Sequence, residues 1–189
     1  MKRTINIALF ASGTGTNVEN IFKYFQKNEN IRIKCVLCNN KNAYVLQRAK
    51  NLELESLLFD RIMYNDEKLI LNYLKIREID FIILAGFLWL IPEYLINQFP
   101  NKIINIHPAL LPKYGGKGMF GENVHKAVLE NHETITGITV HYVNKNYDEG
   151  SIIAQKTVEI TKEDTIETIA EKIHILEQKY FPQIIENIL

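Results

Sequence analysis

Ile5-Asn6-Ile7-Ala8-Leu9-Phe10-Ala11 runs directly into Ser12-Gly13-Thr14-Gly15-Thr16-Asn17, and the fold is decided by how this stretch reads. The first seven residues are a short, nearly continuous apolar run, the pattern of a buried strand. From Asn17 to Gln26 the apolar residues Val18, Ile21, Phe22 and Phe25 recur at helical spacing. Outward from this pair the same alternation continues. Ile31 to Cys38 is β-branched and strand-like, Ala43 to Lys50 reads as a helix, and Leu54 to Phe59 as a third strand. Asn65 to Glu78 places Leu69, Ile70, Tyr73, Leu74 and Ile76 on a broad helical face, and Asp80 to Ala85 follows as a central strand. Pro92 opens a short helix to Phe99. Lys102 to Ile106 is a fifth strand that stops at Pro108, because proline cannot donate to a ladder. Pro112 to Met119 is glycine-rich and reads as a mobile loop. Asn123 to Asn131 is helical, Ile138 to Val143 and Ile152 to Ile160 are strands, and Thr165 to Leu189 is a long helix with a kink expected at Pro182. Continuous apolar strands alternating with helices imply a Rossmann-like open α/β sheet, mostly parallel, with helices on both faces. Ligands of such sheets sit beyond the carboxyl ends of the strands.

No repeat, low-complexity tract or linker interrupts the chain, so residues 1–189 are expected to form a single domain. The 22 basic and 22 acidic residues balance to a net charge of zero, which excludes a strongly basic nucleic-acid binder and an acidic disordered tail. A local phosphate site stays open, since a few backbone N–H groups hold an anion without surplus lysine. Two cysteines, Cys35 and Cys38, do not make a disulfide framework and point to a reducing compartment. The charged start Met1-Lys2-Arg3 meets Ser12 after too short an apolar run for a signal peptide. The longest apolar stretch, Phe81 to Ile91, falls well short of the ~20 residues of a membrane span. These features lead to the expectation of a soluble, cytoplasmic protein.

Three motifs carry candidate chemistry. Ser12 to Asn17 joins the first strand to the first helix: its glycines admit close approach of an anion, the helix N-terminus supplies N–H groups, and Thr16 and Asn17 add side-chain donors. A G-x-G-x-x-G fingerprint starting at Gly13 fails at Val18, the second strand ends in Cys38-Asn39-Asn40 without an acidic residue, and the lysine of a P-loop is missing. The loop therefore reads as a phosphate site or as a tight capped turn without ligand. In Asn105-Ile106-His107-Pro108, positions two apart on a strand share a face, so an amide and an imidazole stand side by side. They are either satisfied core groups or a site. Tyr147-Asp148-Glu149-Gly150 is a turn between two late strands, and an aspartate there, if near the imidazole, would orient it and favour its charged form. Other candidates are weaker. Cys35-x-x-Cys38 lies within a strand and reads as two small core residues. His125, His132, His141 and His174 show no ligand spacing, so no metal site is expected. Trp89 is either core or pocket wall.

Taken with Leu84-Ala85-Gly86-Phe87 and the continuation Ala109-Leu110-Leu111-Pro112, these motifs resemble the folate-dependent formyltransferase family, in order from about Ile5 to Pro182. The resemblance implies an enzyme of purine biosynthesis that transfers the formyl group of 10-formyltetrahydrofolate, as co-substrate, to the amine of glycinamide ribonucleotide. It implies that Asn105, His107 and Asp148 are catalytic and that Gly15, Thr16 and Asn17 hold the ribonucleotide phosphate. It further implies that His174 and Glu177 contact the ribonucleotide. Leu88, Trp89, Leu90 and Ile91, with Asn144 and Tyr147, would line the folate pocket. A substrate-contacting basic residue belongs near Arg61 or Met63, and the segment Gly115 to Glu122 is longer than in several relatives. The implied partners are these small molecules alone, without nucleic acid, membrane or metal, in a monomer or homodimer.

The chemistry agrees with the residues. An amine attacking a formyl carbon creates a tetrahedral centre with a developing oxyanion, which the Asn105 amide and a His107 imidazolium would stabilise. Asp148 would keep His107 cationic and help carry the proton from amine to leaving nitrogen. Apolar Leu88 to Ile91 suit a flat pterin ring. Competing readings are a relative that hydrolyses formyltetrahydrofolate or formylates another amine, which would be expected to carry an additional domain, and a non-catalytic sensor using only Gly13 to Asn17.

Overall fold

A computed structural model describes residues 3–189; Met1 and Lys2, on which the N-terminal reading partly rests, lie outside the described residues. In chain order the elements are β1 (Ile5–Ala11), α1 (Thr16–Phe25), β2 (Ile31–Cys38), α2 (Val45–Asn51), β3 (Glu55–Leu58), α3 (Arg61–Asn65), α4 (Glu67–Ile76), β4 (Phe81–Leu84) and α5 (Glu93–Gln98). They continue as β5 (Ile103–His107), α6 (Glu122–Glu130), β6 (Ile135–Tyr142), β7 (Ile152–Glu159) and α7 (Ile166–Ile188). The seven strands follow the order β3-β2-β1-β4-β5-β6-β7. β1 runs parallel to β2 and β4, and β2 to β3; β6 and β7 are antiparallel. This is the mostly parallel open α/β sheet expected from the alternation. Chain contacts divide it into two compact units, Met1–Ile104 and Asn105–Leu189.

In the first unit, Ile7 to Ala11 of β1 are each 0% exposed, so side chains pointing to both faces are covered. That is why the strand reads as an unbroken apolar run. α1 turns Val18, Ile21 and Phe25 inward, and α2 contributes Val45 and Ala49. One helix was not expected from the sequence. The helix expected over Asn65 to Glu78 is α4, and α3 precedes it in a stretch to which the sequence assigns no element. Each starts at an N-cap: Asp60 accepts from the Met63 N–H at 2.9 Å and Asp66 from the Leu69 N–H at 3.1 Å. Under α3 lies an aromatic cluster in which Phe59 stacks on Tyr64 at 5.1 Å and Phe87 meets Phe10 edge-on at 5.4 Å. Cys35 and Cys38 are free and buried on β2, as expected of core residues.

In the second unit, β6 begins at Ile135, three residues before the expected start, and pairs Ile135 with Glu159. Gly137 lets this hairpin close: a Cβ there would collide with the Lys156 carbonyl. Thr165 caps α7 through a reciprocal pair with Thr168, and the helix continues through Pro182 to Ile188. Pro112 to Met119, expected to be mobile, is tied down at Tyr114 and Gly116 by bonds described below. Among the described residues no helix is long and apolar enough to cross a membrane.

Candidate active site

Three elements of the second unit converge on one carboxylate. Asn105 and His107 project from the same face of β5, two residues apart. Asp148 reaches them from the turn between β6 and β7, where its own backbone is left-handed (φ 57°). Asp148 Oδ2 lies 3.5 Å from His107 Nδ1 and accepts from the Gly116 N–H at 2.9 Å. Its Oδ1 accepts from Asn105 Nδ2 at 3.4 Å and lies 3.5 Å from His141 Nε2. His107 is 3% exposed. The backbone just past this pair is fixed by buried Thr139, whose hydroxyl donates to the Ala109 carbonyl at 2.7 Å and accepts from the Leu111 N–H at 3.0 Å.

Hydrogen-bond partners assign the protons. A carbonyl oxygen only accepts, so His107 Nε2, 2.7 Å from the Tyr114 carbonyl, carries hydrogen, and the remaining nitrogen, Nδ1, faces Asp148. His141 Nδ1 likewise donates to its neighbour's carbonyl, Tyr142 O, at 2.8 Å, which leaves Nε2 to accept from Asn105 Nδ2 at 3.2 Å. The Asn105 orientation follows: turned over, its carbonyl would face the carboxylate.

Electrostatics alter one expectation. Burial lowers the His107 pKa below its ordinary 6.5, and this outweighs the opposing pull of Asp148 and of the Tyr114 carbonyl. That direction favours the neutral imidazole at pH 7, whereas the adjacent aspartate by itself favours the charged form. Asp148 behaves oppositely. Burial alone would raise it, but the groups around the carboxylate, the Gly116 N–H among them, hold it below the usual carboxylate range.

His141 was missed in the sequence, where it reads as an isolated strand histidine. The available signal was alternation: positions 137, 139 and 141 share one face of β6, a face carrying two polar side chains.

The glycine loop belongs to the first unit. Gly15 caps α1 in the left-handed region (φ 78°), and Thr16 and Asn17 open the helix. Four successive carbonyls are occupied: Ser12 O by Asn40 Nδ2 at 3.2 Å, Gly13 O by Val45 N at 3.1 Å, Thr14 O by Arg48 Nε at 2.9 Å and Gly15 O by Glu19 N at 3.0 Å. Arg48, absent from the sequence candidates, also pairs with Glu19 of α1.

Among the remaining candidates, Leu88 and Leu90 are 44% and 39% exposed, whereas Ile91 is 3% exposed and belongs to the core. Ile91 thus has little surface to offer a ring. Trp89 is half-buried against Phe59 at 5.9 Å and carries the Arg61 guanidinium 3.6 Å above its ring. Asn144 and Tyr147 lie in the same turn as Asp148, with Asn144 Oδ1 accepting from the Asn146 N–H at 2.9 Å. His174 and Glu177 are one turn apart on α7, 4.0 Å between Nδ1 and Oε2. Among the described residues no three His, Cys, Asp or Glu side chains are grouped to hold a metal ion.

Comparison with known proteins agrees on the class. Residues 5–185 match the formyl transferase family, and the chain belongs to it. A Bacillus subtilis relative named phosphoribosylglycinamide formyltransferase is 38% identical over 187 residues, which cover 96% of this chain and 93% of that protein. The chloroplastic phosphoribosylglycinamide formyltransferase of Arabidopsis thaliana is 35% identical over 189 residues, covering 97% of this chain and 65% of that longer one. Among solved structures, glycinamide ribonucleotide transformylase 1 from Geobacillus kaustophilus superposes with a TM-score of 0.90 at 34% identity, covering 99% of this chain and 100% of that one.

Proposed function

We propose that this protein is a phosphoribosylglycinamide formyltransferase, taking the formyl group from 10-formyltetrahydrofolate. The observation that carries the reading is the Asp148 carboxylate, which gathers Asn105, His107 and His141 in a chain whose named relatives act in this reaction. The amine nitrogen of glycinamide ribonucleotide bonds to the formyl carbon, and the bond from that carbon to the folate nitrogen breaks. One proton leaves the amine and one arrives on the folate nitrogen. A neutral His107 suits the first transfer: it takes the amine proton, becomes an imidazolium beside Asp148, faces the oxyanion in that form, and then returns the proton to the leaving nitrogen. The Asn105 amide supplies the second oxyanion donor, turning from His141 and Asp148 toward the substrate.

Gly15, Thr16 and Asn17 hold the ribonucleotide phosphate in this reading, supported by a loop whose carbonyls are already occupied. In the same reading Leu88 to Leu90 are folate contacts of the first unit, Asn144 and Tyr147 are folate contacts of the second, and His174 and Glu177 contact the ribonucleotide. Two free cysteines favour a cytoplasmic location.

The test is formyl transfer to glycinamide ribonucleotide by wild type and His107→Ala. Loss of one oxyanion donor is expected to lower kcat about 10²–10³-fold; equal rates would refute the assignment. Folate turnover without any amine would favour a hydrolase, and binding without turnover a sensor.

A further inference from the structure

The segment Tyr114 to Gly116 touches both ionisable partners of the site. The Tyr114 carbonyl accepts from His107 Nε2, and the Gly116 N–H donates to Asp148 Oδ2. Tyr114 achieves this from a backbone conformation that a bulky residue seldom adopts, φ 58°. Left-handed geometry at such a residue persists only where surrounding contacts over-determine it. The contact here is at the far end of the side chain: Tyr114 Oη donates to Glu133 Oε1 at 2.8 Å, and Lys113 Nζ meets the same oxygen at 2.7 Å. Glu133, between α6 and β6, thus grips two consecutive residues of the segment. Beneath it Gly115 leaves no room for a side chain, since a Cβ would lie 2.6 Å from Leu111 Cδ2 and 3.2 Å from Asp148 Cβ.

We propose that Tyr114 is a positioning residue that locks the His107 tautomer: its carbonyl retains the Nε2 hydrogen, so that Nδ1 is the nitrogen that exchanges the proton, and Glu133 is the anchor that keeps that carbonyl in place. The inference deepens the reading of His107 given above and rests on it. Without the lock, a neutral His107 would gain by moving its hydrogen to Nδ1, where Asp148 Oδ2 is an acceptor, and would then have no lone pair there to take a proton. The lock opposes this by setting a carbonyl 2.7 Å from Nε2 against a carboxylate 3.5 Å from Nδ1. The ionisable groups acting on His107 are Asp148 from the β6–β7 turn, His141 of β6 and His125 of α6. Those bearing on Tyr114 and its anchor are Glu133 and Lys113.

The experiment compares full-length wild type with Tyr114→Phe, Glu133→Leu, Glu133→Gln and Lys113→Met. It measures formyl-transfer kinetics and reads the His107 tautomer from the imidazole nitrogen shifts of ¹⁵N-histidine-labelled protein. Tyr114→Phe and Glu133→Leu are expected to lower kcat about tenfold, within the ~10²-fold that a 1 Å misplacement costs, with KM for both substrates unchanged. In both, the nitrogen shifts should move from a single Nε2–H form to a mixture of tautomers. Glu133→Gln still offers an oxygen to the phenol, and Lys113→Met removes only the ion pair, so both should keep the wild-type tautomer and kcat. A fall in kcat with the tautomer unchanged, or wild-type behaviour in both Tyr114→Phe and Glu133→Leu, would overturn the inference. A tautomer shift in Tyr114→Phe alongside a fully active His107→Ala would instead sink the catalytic reading of His107 while leaving the lock intact.

Discussion

Replacing Gly15 by alanine tests whether the glycine loop is shaped by α2. Two independent penalties add at this position. The backbone sits at φ 78°, where a residue bearing Cβ loses about 1–2 kcal/mol. The new methyl would also lie 2.6 Å from Val45 Cβ and 2.9 Å from Val45 Cα, and nearer still to Cγ2. Val45 is fully buried and held through its N–H to the Gly13 carbonyl, so it has little freedom to yield, and overpacking of this kind costs about 1–3 kcal/mol. The sum is about 2–5 kcal/mol, which for a chain of this size lowers Tm by about 4–20 °C. Thermal unfolding followed by circular dichroism would measure it. Gly13→Ala is the control: its φ is not positive and nothing lies within 4 Å of the added Cβ, so Tm should hold. In a double-mutant cycle, Val45→Ala takes away Cγ2 but keeps Cβ and Cα, so only part of the clash should be relieved and the backbone component should remain in full. Gly15→Ala unfolding at the wild-type temperature would show that α2 does not confine the loop as described.

Stability should also fall on mild acidification. Burial lowers the pKa of both His107 and His125 below the ordinary 6.5, so between the folded and unfolded values the unfolded chain binds more protons and stability rises with pH. Urea midpoints should therefore drop as the buffer is taken from about pH 7.5 to about pH 5.5 and drop less in His125→Phe; a flat profile would count against neutral, buried imidazoles. Arg48→Met removes a charged donor from the Thr14 carbonyl and leaves Glu19 without its α2 partner. A hydrogen bond to a charged group contributes about 1.5 kcal/mol, so KM for the ribonucleotide should rise roughly tenfold with KM for the folate unchanged, and a parallel rise in both would argue for general loosening.

The parts of this molecule legible from sequence were those written in consecutive residues. β2 was bounded correctly because Ile31 to Cys38 is apolar between polar neighbours, and Asn105 and His107 were paired because alternation on a strand is local. α3 was hidden because its five residues are too few to show a period, and its start depends on Asp60 turning back to cap, as that of α4 does on Asp66. His141 was hidden for another reason. Its importance comes from lying 3.2 Å from Asn105, thirty-six residues earlier, and no local pattern states which strand β6 approaches or in what register. For His107, proximity to Asp148 was visible as a motif whereas burial of the ring was not, and burial is the larger influence on its pKa.

If the glycine loop holds the ribonucleotide phosphate as proposed, the balanced composition poses a problem that its backbone resolves. A phosphate carries about two negative charges, yet the arginine and lysine flanking this loop are committed: Arg48 and Lys23 both pair with Glu19. The three together carry a single net positive charge, held on side chains that brace α1 against α2. Attraction must therefore come chiefly from the backbone. Occupation of the carbonyls from Ser12 to Gly15 turns their negative ends toward Asn40, Val45, Arg48 and Glu19, and what the loop and the start of α1 can offer an anion is N–H. Fixed dipoles of this kind need no surplus charge and lose little to screening once the ligand is seated, unlike a field of surface lysines. A chain with 22 basic and 22 acidic residues can thus hold a dianion without becoming a general polyanion binder. In that sense Arg48 and Gly15 do complementary work: one holds the Thr14 carbonyl back, and the other bends the chain so that the donors come forward.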